Sequence, residues 1–344
     1  MDATAEKRPL AILGMDEAGY GPNLGPLVIA CTTWRWDGTN DENAGGSGVP
    51  SYDDCEKRCE RFAAALLRHT AQTGHAFSLG DSKTVYSGKR KLASLERVAL
   101  AGLRAFGAAA DSLEELLAAV DPAAASGRSQ YPWYQGANHP LPVAATNEEV
   151  AAAEAAIRRA LAETGLRGAG CRARVAFEGE FNRRLTATGN KADTHAGFCL
   201  ELLTAAYRQA FPSAGGMVVW SDKWGGRAHY GPFIRISLAT SQIECCCEGR
   251  EESRYRWRHP ENGAVTTLSF LAKGEARPPV GLASLVAKYL RELFMRQLND
   301  YWARRVSGLS PTAGYPGDAR RYLQAITPQV EADGIDLRIL WRKK

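Results

Sequence analysis

An apolar run near the start of the chain leads directly into two acids and a glycine-rich turn. Residues 10 to 13 are apolar, Asp16 and Glu17 follow, and a second apolar stretch rich in strand-forming residues runs from 26 to 33. This pattern predicts two strands of one sheet joined by a turn. Because adjacent strand residues point to opposite faces, both acids can share one site only if the strand begins to turn before them, which the nearby glycines favour.

Strand and helix patterns alternate along the rest of the chain, which predicts an α/β domain with a mixed sheet. The predicted helices cover about 53–73, 88–106, 147–164, 193–211 and 281–302, and further strands cover 174–177 and 217–220. The helix at 147 begins with a capping-box pattern formed by Thr146 and Glu149. We expect one domain over residues 1–344, with insertions at about 37–52, 121–146 and 240–265 and a helical C-terminal part at about 281–344.

The composition is typical of a soluble globular protein. Hydrophobic residues make up 45% of the chain and charged residues 24%, and no run approaches the ~20 apolar residues that cross a membrane. The eight cysteines form neither a CxxC zinc pattern nor an evenly spaced disulfide framework, which favours reduced thiols. The first residues also lack the pattern of a signal peptide. We therefore expect a cytoplasmic protein without membrane contact.

Positive charge is concentrated in the last part of the chain. The formal net charge is +5, and residues 250–344 contain 17 Lys and Arg against 10 Asp and Glu. A phosphate-binding face would produce this asymmetry, and so would a solvated basic surface.

Two further acids stand at predicted junctions between strand and turn. Asp222 directly follows the apolar strand at 217–220, and Glu275 lies in a Lys-Gly-Glu segment just before the long helix. Each segment alone is also compatible with an ordinary solvated turn. Together with Asp16 and Glu17, these acids are the set that a two-metal nuclease requires, since three or four carboxylates must surround its divalent ions. Spacing alone does not determine whether they converge.

The order and text of these segments resemble the ribonuclease HII family. The matching motifs are DEAGYGP at 16–22 with Gly25-Pro26, DSK at 81–83, Asp222, KGE at 273–275, ASLVAK at 283–288 and GYP at 314–316. The resemblance covers about residues 10–35, 78–105 and 195–325. It implies a ribonuclease H-like fold, in which a mixed central sheet is flanked by helices.

The resemblance also implies a function and a set of site residues. Members of the family use two metal ions, Mg²⁺ or Mn²⁺, to cleave the RNA strand of RNA/DNA hybrids, or ribonucleotides embedded in duplex DNA. The implied metal ligands are Asp16, Glu17, Asp222 and Glu275. Other residues are assigned to substrate. Gly19 and Gly21 would lie near the ribose 2′-hydroxyl, Tyr20 near the substrate backbone and Tyr315 at the RNA-to-DNA junction. Ser82, Lys83 and Lys273 would hold phosphates, and Ser284 and Lys288 would also contact the substrate. We predict no protein partner.

Two departures from the family pattern leave alternatives open. Tyr20 stands where the family has arginine, and Glu275 where it has aspartate. A catalytically weakened hybrid-binding protein, or a nuclease of the same fold with a different DNA substrate, would also carry these residues. Glu178, at another strand end, is an alternative to Asp222 as the third acid, although we prefer Asp222. His195 and His229 are interpreted as surface or supporting residues, since a metal-bound hydroxide needs no histidine base.

Overall fold

The computed structural model describes most of the chain. The described residues are 8–37, 51–71, 76–80, 85–86, 90–135, 138–238 and 242–343. The motif at 81–83, with the predicted phosphate ligands Ser82 and Lys83, lies outside the described residues, as does most of the predicted insertion at 37–52.

A mixed sheet of seven strands forms the centre of the described structure. The strands are β1 (Leu10–Ala18), β2 (Leu27–Trp36), β3 (Leu166–Ala176), β4 (Gly216–Asp222), β5 (Glu244–Glu248), β6 (Glu252–Arg258) and β7 (Val265–Leu271). Their order is β3-β2-β1-β4-β7-β6-β5. Strands β1, β4 and β7 are parallel, whereas β2, β3 and the β5–β6 hairpin pair antiparallel with their neighbours.

Helices cover both faces of this sheet. The helices are α1 (Tyr52–Ala71), α2 (Lys91–Ala105), α3 (Leu113–Val120), α4 (Pro122–Gly127), α5 (Asn147–Thr164), α6 (Glu178–Thr188), α7 (Lys191–Ala210), α8 (Gly231–Leu238), α9 (Pro278–Ala303), α10 (Pro316–Ala332) and α11 (Leu337–Leu340). Along β1, Ile12 joins the core beneath α9, and Leu13 joins the core beneath α7. The arrangement confirms the predicted fold class, and Thr146 and Glu149 form the predicted capping box of α5. Among the described helices, none is long and apolar enough to span a membrane.

Two predicted strand boundaries are wrong, because pairing extends the strands beyond their apolar patterns. β1 runs through both acids to Ala18, since Asp16 and Glu17 pair with Ala30 and Ile29 of β2. β3 begins at Leu166, well before the predicted start at residue 174.

The described parts of the predicted insertions at 121–146 and 240–265 have ordered structure. The segment 121–146 includes α4 and buries Trp133 and Tyr134 in an aromatic cluster with Phe177 and Phe294. The arginine-rich part of 240–265 is β6, whose pairing with β7 extends the sheet. Its arginines have local partners, because Arg254 pairs with Glu252 and Arg256 with Glu244.

Candidate active site

Four carboxylates lie at the carboxyl ends of the three parallel strands. Asp16 and Glu17 are near the end of β1, Asp222 ends β4, and Glu275 lies in the short 3-10 turn after β7. The ends of adjacent parallel strands meet at one edge of a sheet, which brings the acids within electrostatic range of one another. The negative charge of Asp222 raises the pKa of both Asp16 and Glu17, and the charge of Glu275 raises the pKa of Asp16.

The acids occupy a strongly unfavourable environment for negative charge. Burial raises the pKa of Asp16 to about 7; a hydrogen bond from the Ser284 hydroxyl opposes the shift, and the charges of Asp222 and Glu275 add to it. Burial, with the charges of Asp16 and Asp222, also holds the pKa of Glu17 well above its ordinary value. Buried carboxylates of this kind need compensating cations. An all-oxygen donor set fits a hard divalent ion such as Mg²⁺ or Mn²⁺.

Asp16 and Glu17 reach this edge from opposite faces of the sheet. Asp16 accepts the Ser284 hydroxyl from α9, whereas the Oε1 atom of Glu17 lies 3.5 Å from Nε2 of His195 on α7. The prediction that the strand turns before the acids is therefore wrong. Both acids nevertheless lie within electrostatic range of Asp222, which ends the neighbouring strand β4. Asp222 is itself fixed by the Gly274 N–H, which donates to its Oδ1 at 2.9 Å.

The loop at 19–26, called the glycine loop, follows the acids of β1 and has the exposed ring of Tyr315 beside it. Gly19 has φ of +91°, and a Cβ there would lie 2.6 Å from Nε of Arg291. A Cβ at Gly21 would lie 3.8 Å from the ring of Tyr315, whose relative exposure is 56%. The structure thus places Gly21 and Tyr315 together at the surface.

A buried network supports the glycine loop from below. The Oε1 atom of Glu178 accepts hydrogen bonds from the Gly25 N–H at 3.1 Å and the Tyr134 hydroxyl at 2.9 Å. Arg342 donates to the carbonyls of Pro22, at 2.6 Å, and Gly19. Glu178, the alternative third acid, therefore supports the glycine loop. Asp222 instead lies within electrostatic range of Asp16 and Glu17. No local sequence pattern indicates these contacts of Arg342, since its partners lie more than 300 residues away.

Arg291 is also part of this support. It lies on α9 and is buried, with 5% relative exposure. Its guanidinium donates to the carbonyl of Ala313 at 3.0 Å and to that of Leu24 at 3.3 Å. Arg291 thereby joins the glycine loop to the Gly314–Tyr315 turn.

Burial of Glu178 predicts a pH-dependent stability. Burial raises its pKa to about 7, against an ordinary value of 4.5. The folded protein therefore holds this proton more tightly than the unfolded chain, so its stabilising contribution is lost as the pH rises from 4.5 to about 7. Glu178→Gln should reduce that loss by about 2–3 kcal/mol.

Unfolding in urea at several pH values, with chelator present, measures this effect. The control is Glu331→Gln, an exposed change on α10. Equal pH dependence of the wild type and Glu178→Gln would show that Glu178 does not titrate in this range.

The remaining predicted substrate residues differ in their exposure and contacts. Tyr20 packs its ring 4.6 Å from that of His195, and the Lys191 ammonium lies 4.9 Å from the Tyr20 ring centre. Lys273 is exposed with φ of +60°. Lys288 is half-buried, with its ammonium 4.3 Å from the Tyr86 ring centre.

The two histidines differ in their surroundings. His195 is 1% exposed, and burial lowers its pKa to about 4, helped by the positive charges of Lys191, Arg227 and Arg342. His229 is at the surface, where it contacts Glu248. Sequence reasoning missed the contact of His195 with Cys199, at 3.5 Å. Their spacing of four residues in a predicted helix was the available signal.

The fold is similar to that of solved ribonucleases HII and HIII, at low sequence identity. The chain matches ribonuclease HII of Archaeoglobus fulgidus, solved as a PCNA complex, at 15% identity and a TM-score of 0.40, over 97% of this chain and 94% of that one. It matches Bst-RNase HIII in complex with Mn²⁺ at 15% identity and a TM-score of 0.44, over 98% and 67% of the two chains. For ribonuclease H2 from Pyrococcus horikoshii OT3 the identity is 13% and the TM-score 0.39, over 96% and 92%.

No family model matches the chain, and no curated protein matches it in sequence. What the chain does is therefore inferred from its own residues.

Proposed function

We propose that this protein is a metal-dependent endonuclease that cleaves the RNA strand of RNA/DNA hybrids, or ribonucleotides embedded in duplex DNA. The observation that carries the proposal is the convergence of Asp16, Glu17, Asp222 and Glu275 at the ends of three parallel strands. Spacing in the sequence could not establish this convergence. The glycine loop and the exposed Tyr315 ring lie beside the acids, where a nucleic-acid strand would pass.

The four acids would hold two divalent ions, Mg²⁺ or Mn²⁺. Bound ions of this kind supply an activated water and stabilise negative charge on the scissile phosphate. The protein's part is to fix the ligands: the Ser284 hydroxyl orients Asp16, and the Gly274 N–H orients Asp222. Such supporting hydrogen bonds hold metal ligands in a single geometry.

The glycine loop would provide the recognition of ribose. Without side chains at Gly19 and Gly21, backbone groups can approach the 2′-hydroxyl, which is the group that distinguishes RNA from DNA. Arg291 and Arg342 hold the loop by its carbonyl oxygens. The Tyr315 ring is exposed beside Gly21 and can stack on a base or sugar.

Cleavage of labelled duplexes tests the proposal. The substrates are a DNA duplex with one ribonucleotide, an RNA/DNA hybrid and an all-DNA duplex, each with Mg²⁺, with Mn²⁺ and with chelator. We expect metal-dependent cuts confined to the ribonucleotide-containing strands. A cut in the all-DNA duplex would instead indicate a nuclease with a different substrate, and binding without any cut would indicate a hybrid-binding protein.

Tyr20→Arg is expected to favour ribonucleotide junctions. An arginine at this position could reach the substrate backbone with a charge-assisted hydrogen bond, worth about 1–1.5 kcal/mol or roughly tenfold in rate. The measurement is the ratio of cleavage at a single ribonucleotide to cleavage of a hybrid. Tyr20→Phe is the matched control, because it keeps the ring that packs on His195. An unchanged ratio in Tyr20→Arg would contradict the assignment of Tyr20 to the substrate backbone.

A further inference from the structure

Glu17, His195 and Cys199 form a cluster of possible metal ligands. Of these three residues, the proposed two-ion site includes only Glu17. The cluster combines a carboxylate from β1 with an imidazole and a thiol from α7, and its three ligand atoms lie within 4.8 Å of one another. His195 is 1% exposed and Cys199 is fully buried. The side chain of Glu17 is 14% exposed, so a metal ion can reach the cluster from the edge of the sheet where the acids lie.

The distance from His195 to Glu17 is longer than a normal hydrogen bond, and both distances from His195 are close to those between ligands of one metal ion. Nε2 of His195 lies 3.5 Å from Oε1 of Glu17 and 3.5 Å from Sγ of Cys199. A hydrogen bond from nitrogen to oxygen is normally about 2.7–3.2 Å long. Ligands on a tetrahedral zinc ion would be separated by about 3.4 Å for nitrogen and oxygen and about 3.6 Å for sulfur and nitrogen, given the usual zinc bond lengths.

We propose that Glu17, His195 and Cys199 form a binding site for a thiophilic divalent ion such as Zn²⁺. The carboxylate and the thiolate together neutralise the charge of the ion, and the imidazole adds a neutral ligand. The thiol of Cys199 gives up its proton to solvent when the ion binds. A fourth position stays open to water. The soft sulfur ligand separates this site from the all-oxygen set that suits Mg²⁺.

Occupation of this site would inhibit cleavage, a consequence that rests on the proposed function. Glu17 belongs to both ligand sets, so a zinc ion bound to His195 and Cys199 would withdraw it from the acids. The site would thus make the enzyme sensitive to free Zn²⁺ even when Mg²⁺ is abundant.

Metal spectroscopy tests the site without any need for cleavage. Three exposed cysteines could bind metal on their own, so the starting protein carries Cys245→Ser, Cys246→Ser and Cys247→Ser. Co²⁺ replaces Zn²⁺ as the probe, and excess Mg²⁺ limits Co²⁺ binding at Asp16, Asp222 and Glu275, which offer only oxygen ligands. We expect one equivalent of Co²⁺ to give the visible bands of four-coordinate cobalt and a thiolate charge-transfer band, both abolished by Zn²⁺.

Variants of the buried cysteines locate the signal. Cys199→Ser should remove the charge-transfer band and weaken Zn²⁺ binding at least about a hundredfold. Cys171→Ser, which changes another buried thiol, should leave both unchanged. Cys199→Ala serves as a second variant, and circular dichroism checks that each protein is folded. Absence of the band in the starting protein, or its persistence in folded Cys199→Ser, would overturn the proposal.

Zinc inhibition is measured separately, in cleavage assays with Mg²⁺. Each protein is compared with its own rate without zinc, and Cys199→Ser should need at least about tenfold more Zn²⁺ for half inhibition. Metal binding with no cleavage of any substrate would support the zinc site and count only against the proposed function. Equal inhibition of the starting protein and Cys199→Ser would contradict the proposal that the zinc site and the two-ion site share Glu17.

Discussion

Replacing Asp16 by asparagine is expected to lower the cleavage rate by about 10³-fold or more, since a ligand charge that positions the catalytic ions is worth several kcal/mol. The metal-free protein should at the same time become more stable. Burial holds the pKa of Asp16 at about 7, against an ordinary value of 3.8. Ionising Asp16 above that pH therefore costs folding free energy, and the neutral amide avoids this cost. We expect a gain of about 1–3 kcal/mol above neutral pH.

Three measurements separate these effects. Cleavage of a ribonucleotide-containing duplex gives the rate, and urea unfolding with chelator gives the stability. Thermal unfolding with added Mn²⁺ gives the stabilisation by metal, which should be smaller in Asp16→Asn than in the wild type. Asp53→Asn, an exposed change in the first turn of α1, is the control. Unchanged turnover in Asp16→Asn would refute the assignment of Asp16 as a metal ligand.

The acids were predictable because local sequence marks the ends of central strands. Asp16 and Asp222 each follow a continuous apolar run, which is typical of a strand buried on both faces. The place of Glu275 just before a predicted long helix indicates a further candidate. Parallel pairing then brings these strand ends to one edge, so the fold class and the candidate ligands come from the same pattern.

The support beneath the glycine loop was not predictable from local patterns. Glu178 and Arg342 are charged residues, and such residues are seldom buried without partners. Here both are buried because their partners come from distant parts of the chain, including Gly25, Tyr134 and Pro22. Nothing in the neighbouring sequence of Arg342 indicates the contact. For Cys199 the signal in the sequence is partial, because its spacing of four residues from His195 indicates the contact between them but not the approach of Glu17 from β1.

The role of Gly14 is also hidden in the sequence. A glycine inside a strand weakens it, unless another backbone must approach closely. In the structure the start of α9 lies directly over this position, and the Thr32 hydroxyl donates to the carbonyl of Pro279 at 2.8 Å. This close approach is what places Ser284, further along α9, against Asp16. Gly14 therefore links the packing of the sheet to the geometry of the acids.

Gly14→Ala is expected to destabilise the protein by about 3 kcal/mol or more. The added Cβ would lie 2.1 Å from the carbonyl carbon of Pro279 and 2.4 Å from the nitrogen of Val280, both backbone atoms that no side-chain rotation can move. Displacing α9 should also reduce cleavage, because Ser284 moves with it. Urea unfolding and cleavage rates measure the two effects. Gly317→Ala is the matched control, since nothing lies within 4 Å of its Cβ position. Equal stability of the two variants would mean that α9 does not rest on Gly14.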